Sequence, residues 1–242
     1  MSKPNIVVII AAGRGSRLRS HEGPPKPLLA LKGKPLILHV LDKFARAGVQ
    51  KAVVVVGHRA NEVKEGVLAA SPPLPVEFAF NPKWDLQNGL SVLAARELVG
   101  PNNFYLSMAD HIFDISLIEN LAQATIPEGG LVLGVDRKLD KVYDMPDATK
   151  VKTDGSTIVK IHKELTEFDA VDTGLFACTP GLFEAIASFS QQRADGDCTL
   201  SEGVTHLAAQ NKAIVHDVGE GRWQDVDTPG AVEHAEKLFS NS

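Results

Sequence analysis

Residues 6–26 read IVVIIAAGRGSRLRSHEGPPK, and this stretch decides the fold. Ile6 to Ala12 is an unbroken apolar run rich in β-branched side chains, the length and composition of a buried strand. Gly13 ends the run, and the residues after it read as a loop, not a helix. Gly13 and Gly15 let the backbone turn tightly and bring N–H groups close to a ligand, while Arg14, Arg17, Arg19 and Lys26 concentrate positive charge in the same segment. Each feature alone is common in solvated turns, but together they suit a polyphosphate. Two familiar phosphate loops are excluded by spacing, because no G-x-x-x-x-G-K-[ST] occurs and G-x-G-x-x-G fails at Leu18. The next strand ends in Gly57-His58, without the acid that holds a ribose in dinucleotide folds. A dinucleotide oxidoreductase is therefore the weakest of the enzyme readings.

Outward from the loop, Lys34-Pro35 is expected to open a helix with proline in its first turn. Leu36, Leu38, Val40, Leu41 and Phe44 supply its apolar face, and Gly48 stops it. Lys51 to Gly57 is a second continuous apolar run, so strand, helix and strand form a βαβ unit with a right-handed crossover. Ala60–Ala70 reads as a helix and Val76–Phe80 as a strand. Asn88 is placed to cap the helix that carries Leu90, Leu93, Ala94 and Leu98.

Asn103–Ala109 reads as the fourth strand, and Asp110 sits just past its carboxyl end, where open α/β sheets bind ligands. A carboxylate there suits magnesium, a hard cation that takes oxygen donors alongside phosphates; the plainer role is the cap of a turn. His111 is assigned no chemistry, because transfer onto an already ionised phosphate needs no strong base. A helix over Asp114–Ala124 and a strand over Gly130–Asp136 come next. Beyond them, Ala148–Thr153 and Thr157–His162 flank Thr153-Asp154-Gly155-Ser156, a β-hairpin signal, and Ala170–Cys178 reads as one more strand. These are expected to form an antiparallel insertion over about residues 137–172 that covers one end of the cleft. Thr179-Pro180 and the capping box Thr199-Leu200-Ser201-Glu202 open helices. Ala213–Val218 is a late strand, and Thr228 is the expected cap of the last helix, with Asp225 and Asp227 just before it.

The 242 residues, 44% of them apolar, have enough material for one sizeable α/β domain spanning 1–242. With 25 basic and 30 acidic residues the net charge is -5, which leaves no footprint for nucleic acid or an anionic membrane. Cys178, in an apolar run, and Cys198, in a polar one, read as reduced thiols. There is no signal peptide and no apolar run near the length of a membrane span, so the expected location is cytoplasmic.

Ala11-Ala12-Gly13-x-Gly15-x-Arg17-Leu18, followed by Pro25-Lys26-Pro27-Leu28, resembles the signature of the sugar-phosphate nucleotidylyltransferase superfamily. Met108-Ala109-Asp110-His111, Asp136-Arg137, Ala148-Thr149-Lys150-Val151, Ile158-Val159-Lys160-Ile161-x-Lys163 and Ala170-Val171-Asp172-Thr173-Gly174 resemble successive blocks of the CTP:inositol-1-phosphate cytidylyltransferases within it. The resemblance covers nearly the whole chain. It implies a three-layer, Rossmann-like α/β fold with a mixed, mainly parallel sheet and a small β-rich acceptor lobe. It also implies a magnesium-dependent transfer from CTP to a phosphorylated small molecule, with inositol 1-phosphate ahead of phosphocholine, a phosphonate or a sugar 1-phosphate.

Carried over by position, Ala11, Ala12, Gly13, Gly15, Ser16, Arg17, Lys26, Asn88 and Gly89 would bind the nucleotide, with Arg17, Lys26 and Lys163 catalytic. Lys163, Asp172 and Thr173 would bind the acceptor, and Asp110 and Asp227 the metal, with Asp225 as the rival of Asp227. Two tryptophans and two tyrosines provide no obvious cage for the quaternary ammonium of phosphocholine. A non-catalytic binding module of the same fold would be expected to lose a metal carboxylate or the loop arginine, and all are present. The sequence leaves a homodimer open.

Overall fold

The computed structural model describes residues 3–18 and 23–240, so Arg19 lies outside the described residues. The apolar run at the amino end forms β1 (Ile6–Ala11). A short hairpin, β2 (Ala30–Leu31) and β3 (Lys34–Pro35), leads into α1 (Leu36–Arg46). Pro35 is thus the N-cap of α1, not a first-turn residue, because it still pairs with Ala30 in the hairpin. Then come β4 (Lys51–Val56), α2 (Ala60–Ala69) and β5 (Val76–Phe80). The next helix breaks at Ala95 into α3 (Asn88–Ala94) and α4 (Arg96–Val99), followed by β6 (Phe104–Met108), β7 (His111–Phe113) and α5 (Ser116–Leu121). The remainder is β8 (Leu131–Asp136), β9 (Lys150–Asp154), β10 (Thr157–His162), β11 (Ala170–Cys178), α6 (Gly181–Gln192), α7 (Leu200–Ala208), β12 (Ala213–Asp217), β13 (Trp223–Asp225) and α8 (Pro229–Leu238).

The main sheet has the order β5-β4-β1-β6-β11-β8-β12-β10-β9. Strands β5, β4, β1, β6, β8, β12 and β9 run one way, and β11 and β10 run against them. The sheet is therefore mixed and mainly parallel, as expected. Beside β1 the order switches: β4 and β5 build out on one side and β6 lies on the other. That leaves a crevice beyond the carboxyl ends of β1 and β6, the place where such sheets bind ligands.

Both faces of β1 and β4 are covered, which is why these strands read as continuous apolar runs, whereas the edge strand β5 is only partly buried. Val8, Val53, Val55, Phe104 and Leu106 pack on one face in a core completed by α3, α6 and α7. Val7, Ile9, Val54, Val56 and Tyr105 pack on the other with Ile37, Leu41 and Phe44 of α1 and Val63 and Val67 of α2. Each such fully buried side chain stabilises the fold by about 1.5–3 kcal/mol relative to exposure. A smaller cluster of Leu31, Leu36, Ile112, Val226, Ala235 and Phe239 seats α8 beside the hairpin of β2 and β3.

The β9–β10 hairpin turns through Gly155 at φ +58° and extends the edge of the main sheet, β10 pairing with β12 and β9 with β11. The ribbon of β7 and β13 has no counterpart among the strands expected from sequence. It pairs Asp225 with His111 and Trp223 with Phe113. The caps at Thr199 and Thr228 form as expected, the first as a full capping box with Glu202. Cys178 and Cys198 are both free and buried, so the polar surroundings of Cys198 in sequence do not translate into exposure. Among the described residues, no helix is long and apolar enough to cross a membrane.

Candidate active site

A cavity of about 280 Å³ fills the crevice between β1 and β6, lined by Ala11, Gly13, Gly15, Ser16, Arg17, Lys26, Asp110 and Asp227 among others. Gly15 has φ +63°, and a Cβ there would stand 2.6 Å from the Cβ of Lys26. The loop must therefore carry glycine at 15 for Lys26 to reach the crevice, where its Nζ donates to Asp110 Oδ2 at 2.5 Å. Burial works against both charges of this pair. Each nevertheless outweighs it for the other, so Lys26 is raised above the ordinary lysine range and Asp110, also facing His111, is held well below the carboxylate range.

His111 Nδ1 lies 3.0 Å from Asp110 Oδ1 and 3.9 Å from Asp225 Oδ1. Burial alone would lower its pKa, but Asp225 and Asp110 outweigh burial and hold it at about 9. Its ring packs on the backbone of Gly174, which has φ +72°; a Cβ there would run into the imidazole. Trp223 lies nearly parallel to it, at 6.3 Å. Trp223 is in turn fixed by its Nε1, which donates to buried Asp136 Oδ2 at 2.9 Å. Asp225 is pushed up to about 6, first by burial and then by its acidic neighbours against the pull of His111.

One ligand atom each from Asp110, His111 and Asp225 lie within 4.8 Å of one another, and so do those of Asp147, Asp225 and Asp227. Asp225 Oδ1 and Asp227 Oδ2 are buried without a hydrogen-bond partner. Asp227 Oδ2 does lie 2.7 Å from Arg17 Nη2, a charge contact without hydrogen-bond geometry. Buried carboxylate oxygens left with spare lone pairs beside a phosphate-type cavity fit a divalent, oxygen-seeking cation. Asp225 belongs to both clusters, Asp227 to one.

A larger cavity of about 480 Å³ adjoins the first and shares Arg17 and Asp227 with it. Its walls include Asn88, His111, Asp136, Lys138, Tyr143, Asp147, Lys163, Asp172 and His234. Lys163 Nζ donates to Asp147 Oδ1 at 2.8 Å. Asp172 accepts from the Gly174 N–H at 2.7 Å, and burial pushes its carboxyl up to about 6. Tyr143 stacks on His234, ring centroids 4.3 Å apart.

Most of the residues singled out in the sequence line one or other cavity, but Thr173, Asn88, Gly89 and Ala12 depart from expectation. Thr173 does not face the acceptor side: it is fully buried and its Oγ1 donates to the Gly134 carbonyl at 2.7 Å. Strand alternation sends Thr173 to the opposite face from Asp172, a signal available in the sequence. Asn88 does not cap its own helix, whose N-cap is Gln87; its Oδ1 accepts from Leu200 N at 2.9 Å and so caps the start of α7. Gly89 and Ala12 are buried, the first with its N–H on the Cys198 carbonyl, the second with its carbonyl accepting from His58 N. Sequence reasoning misses Asp147, Asp136 and Trp223. Nothing local marks Asp147, whereas Asp136 is detectable as an acid ending a buried strand.

The model of the MobA-like NTP transferase domain matches residues 7–172. The bifunctional IPC transferase and DIPP synthase of Rubrobacter xylanophilus is 34% identical over 234 residues, covering 95% of this chain and 51% of that protein. The CMP-5'-(3-aminopropyl)phosphonate synthase of Streptomyces rubellomurinus is 32% identical over 254 residues, covering 98% of this chain and 39% of that protein. The chain thus spans about half the length, or less, of these curated relatives. Among solved structures, the inositol-1-phosphate CTP transferase from T. maritima has a TM-score of 0.87 at 26% identity, covering 99% of this chain and 96% of that one.

Proposed function

Because the chain belongs to the MobA-like NTP transferase family, we propose that it is a magnesium-dependent cytidylyltransferase that joins CTP to inositol 1-phosphate, giving CDP-inositol and pyrophosphate. The observation that carries this reading is the meeting of two cavities at Arg17 and Asp227, one lined by the glycine loop and the other by Lys163 and Asp172. A donor and an acceptor held in such neighbouring cavities would bring an acceptor phosphate oxygen beside the α-phosphorus of CTP. That oxygen forms the new P–O bond as the bond to the β-phosphate breaks, and pyrophosphate leaves with the electron pair.

Both reactants are anions, so the protein's task is alignment and charge neutralisation. Gly13, Gly15 and Ser16 carry the triphosphate, and Arg17 and Lys26 stabilise the charge that grows on the departing pyrophosphate. Asn88 borders the larger cavity, while Gly89, buried with its N–H on the Cys198 carbonyl, contacts neither substrate. Lys163 holds the acceptor phosphate, and Asp172 accepts from polyol hydroxyls. A magnesium ion held by Asp110 and Asp227 would supply further positive charge to the phosphate oxygens. His111 orients the Asp110 carboxylate and moves no proton. The reaction takes place in the cytoplasm on this reading.

The test is pyrophosphate release across a matrix of nucleoside triphosphates and phosphorylated acceptors with magnesium. Turnover confined to CTP with inositol 1-phosphate is the expected result. The Streptomyces relative favours a second reading, a phosphonate acceptor, which preferential turnover of an aminoalkylphosphonate would establish. Nucleotide binding without turnover on any acceptor would leave a binding module.

A further inference from the structure

Asp147 lies in the turn before β9 and joins the glycine loop to the segment after β10. Its Oδ2 accepts from Arg17 Nη1 at 2.8 Å and its Oδ1 from Lys163 Nζ at 2.8 Å. Arg17 Nη2 continues the series to Asp227 Oδ2 at 2.7 Å. A line of alternating charge, Lys163, Asp147, Arg17 and Asp227, thus runs from the larger cavity into the smaller. Asp147 is also crowded by like charge, since one of its oxygens stands within 4.8 Å of ligand atoms of both Asp225 and Asp227. The two cations keep it there against that repulsion.

We propose that Asp147 is a positioning residue that competes with substrate phosphate: it holds Arg17 and Lys163 in register across the two cavities and gives up both to the arriving anions. The inference rests on the cytidylyltransferase reading, in which Arg17 meets the triphosphate and Lys163 the acceptor phosphate. The exposure of the two cations decides whether such a contact can yield. The side chains of Arg17 and Lys163 are 55% and 47% exposed, so water and salt screen both pairs and each is weak. A phosphate dianion offers more charge and more acceptor oxygens than one carboxylate, and displaces it. The cost is shared by both substrates, because each must take its cation from the same group.

The test is calorimetric titration with tripolyphosphate, for the donor side, and inositol 1-phosphate, for the acceptor side. Asp147→Asn should bind each probe about two- to fivefold more tightly than the wild type at low ionic strength, and the gain should shrink as salt is raised. Asp147→Glu, which restores a carboxylate, should return toward wild-type affinity. Asp140→Asn removes the same charge from an exposed position outside the lining of both cavities, and should leave both affinities unchanged. A residue that only held the turn together would give an Asp147→Asn protein that melts lower and binds no better. Unchanged or weaker binding by Asp147→Asn, with a wild type that binds both probes, overturns the competition and leaves the cytidylyltransferase reading intact. A wild type that binds neither probe removes that reading, and the proposal with it.

Discussion

Both halves of the sheet contribute to one apolar core, Val151, Ile158, Ile161 and Phe176 beside Val8 and Val53, but the walls they turn to the cavities are held differently. Around β1, β4 and β6 the strands are parallel and largely buried on both faces, and the glycine loop emerges from a core in which Val7, Val8 and Ile9 are wholly inaccessible. Around β9, β10 and β11 the register shifts between Ile158 and Lys160 and again between Asp172 and Phe176. Ion pairs stitch that side: Arg137 to Asp169, Lys138 to Asp136, and Asp147 to both Arg17 and Lys163. A nucleotide loop depends on backbone geometry, which packing fixes and a single substitution rarely remodels. An acceptor wall built from charged side chains can be retuned residue by residue. The difference fits a fold whose relatives, by their names, act on unlike acceptors.

The largest expected effect breaks the centre that both halves share. Asp110→Asn or Asp227→Asn should lower magnesium-dependent pyrophosphate release about a thousandfold, because metal-borne charge stabilisation amounts to several kcal/mol; the thermal midpoint should move little in Asp227→Asn and fall in Asp110→Asn, which leaves buried Lys26 without its partner. If Asp225→Asn is inactive and Asp227→Asn is not, the buried carboxylate at 225 is the ligand. Next, on the donor side, Arg17→Ala and Lys26→Ala should each reduce kcat about a hundred- to a thousandfold, equivalent to about 2.7–4 kcal/mol of transition-state stabilisation. A rise in the KM for CTP alone would mean that these cations bind donor and transition state equally.

The legibility of the sequence divides along the same line. β1, the loop and Asp110 at the end of β6 can be read because each is a local pattern: an apolar run, two glycines, an acid past a strand. The ribbon that sets Asp225 opposite His111 cannot, since β7 and β13 are three residues each and pair across more than a hundred positions of chain. Asp147 carries no local signal, because its meaning comes from Arg17 and Lys163 reaching it in space. Thr173 is misplaced for a simpler cause: its family block reads as a unit, although neighbours on a strand face opposite ways.

On the acceptor side the expected effects are smaller. Lys163→Ala should raise the KM for inositol 1-phosphate about tenfold or more, the value of one charge-assisted hydrogen bond, and leave the KM for CTP nearly unchanged. Asp172→Ala should lower kcat/KM for inositol 1-phosphate more than for an acceptor without hydroxyls, since a site built to pair with hydroxyls discriminates against analogues that lack them. Equal losses on both acceptors would place the polyol away from Asp172.

The smallest expected effect is on stability, and it asks directly whether the two halves are held differently. Asp169 Oδ1 accepts from Thr153 N at 2.7 Å and Oδ2 from Arg137 Nη1 at 2.6 Å. Burial pushes its carboxyl up, but the hydrogen bonds from Thr153 and Arg137 outweigh this and hold it at about 2. A carboxyl whose pKa is lower folded than unfolded adds stability above the unfolded value, near 4, and that stability is lost as the pH falls toward 2, because the unfolded chain takes up the proton first. The side chain is 33% exposed, so screening limits the contribution to about 1 kcal/mol. Asp169→Asn should therefore cost about 1 kcal/mol in urea unfolding at pH 7, and the difference from wild type should narrow steadily between about pH 4 and pH 2.5. Val54→Ala, a truncation at a fully buried position of β4 in the donor half, should destabilise by a constant amount across the same range, since no proton is linked to packing. If the two differences respond to pH alike, the contrast between a packed donor side and an ion-paired acceptor side is wrong.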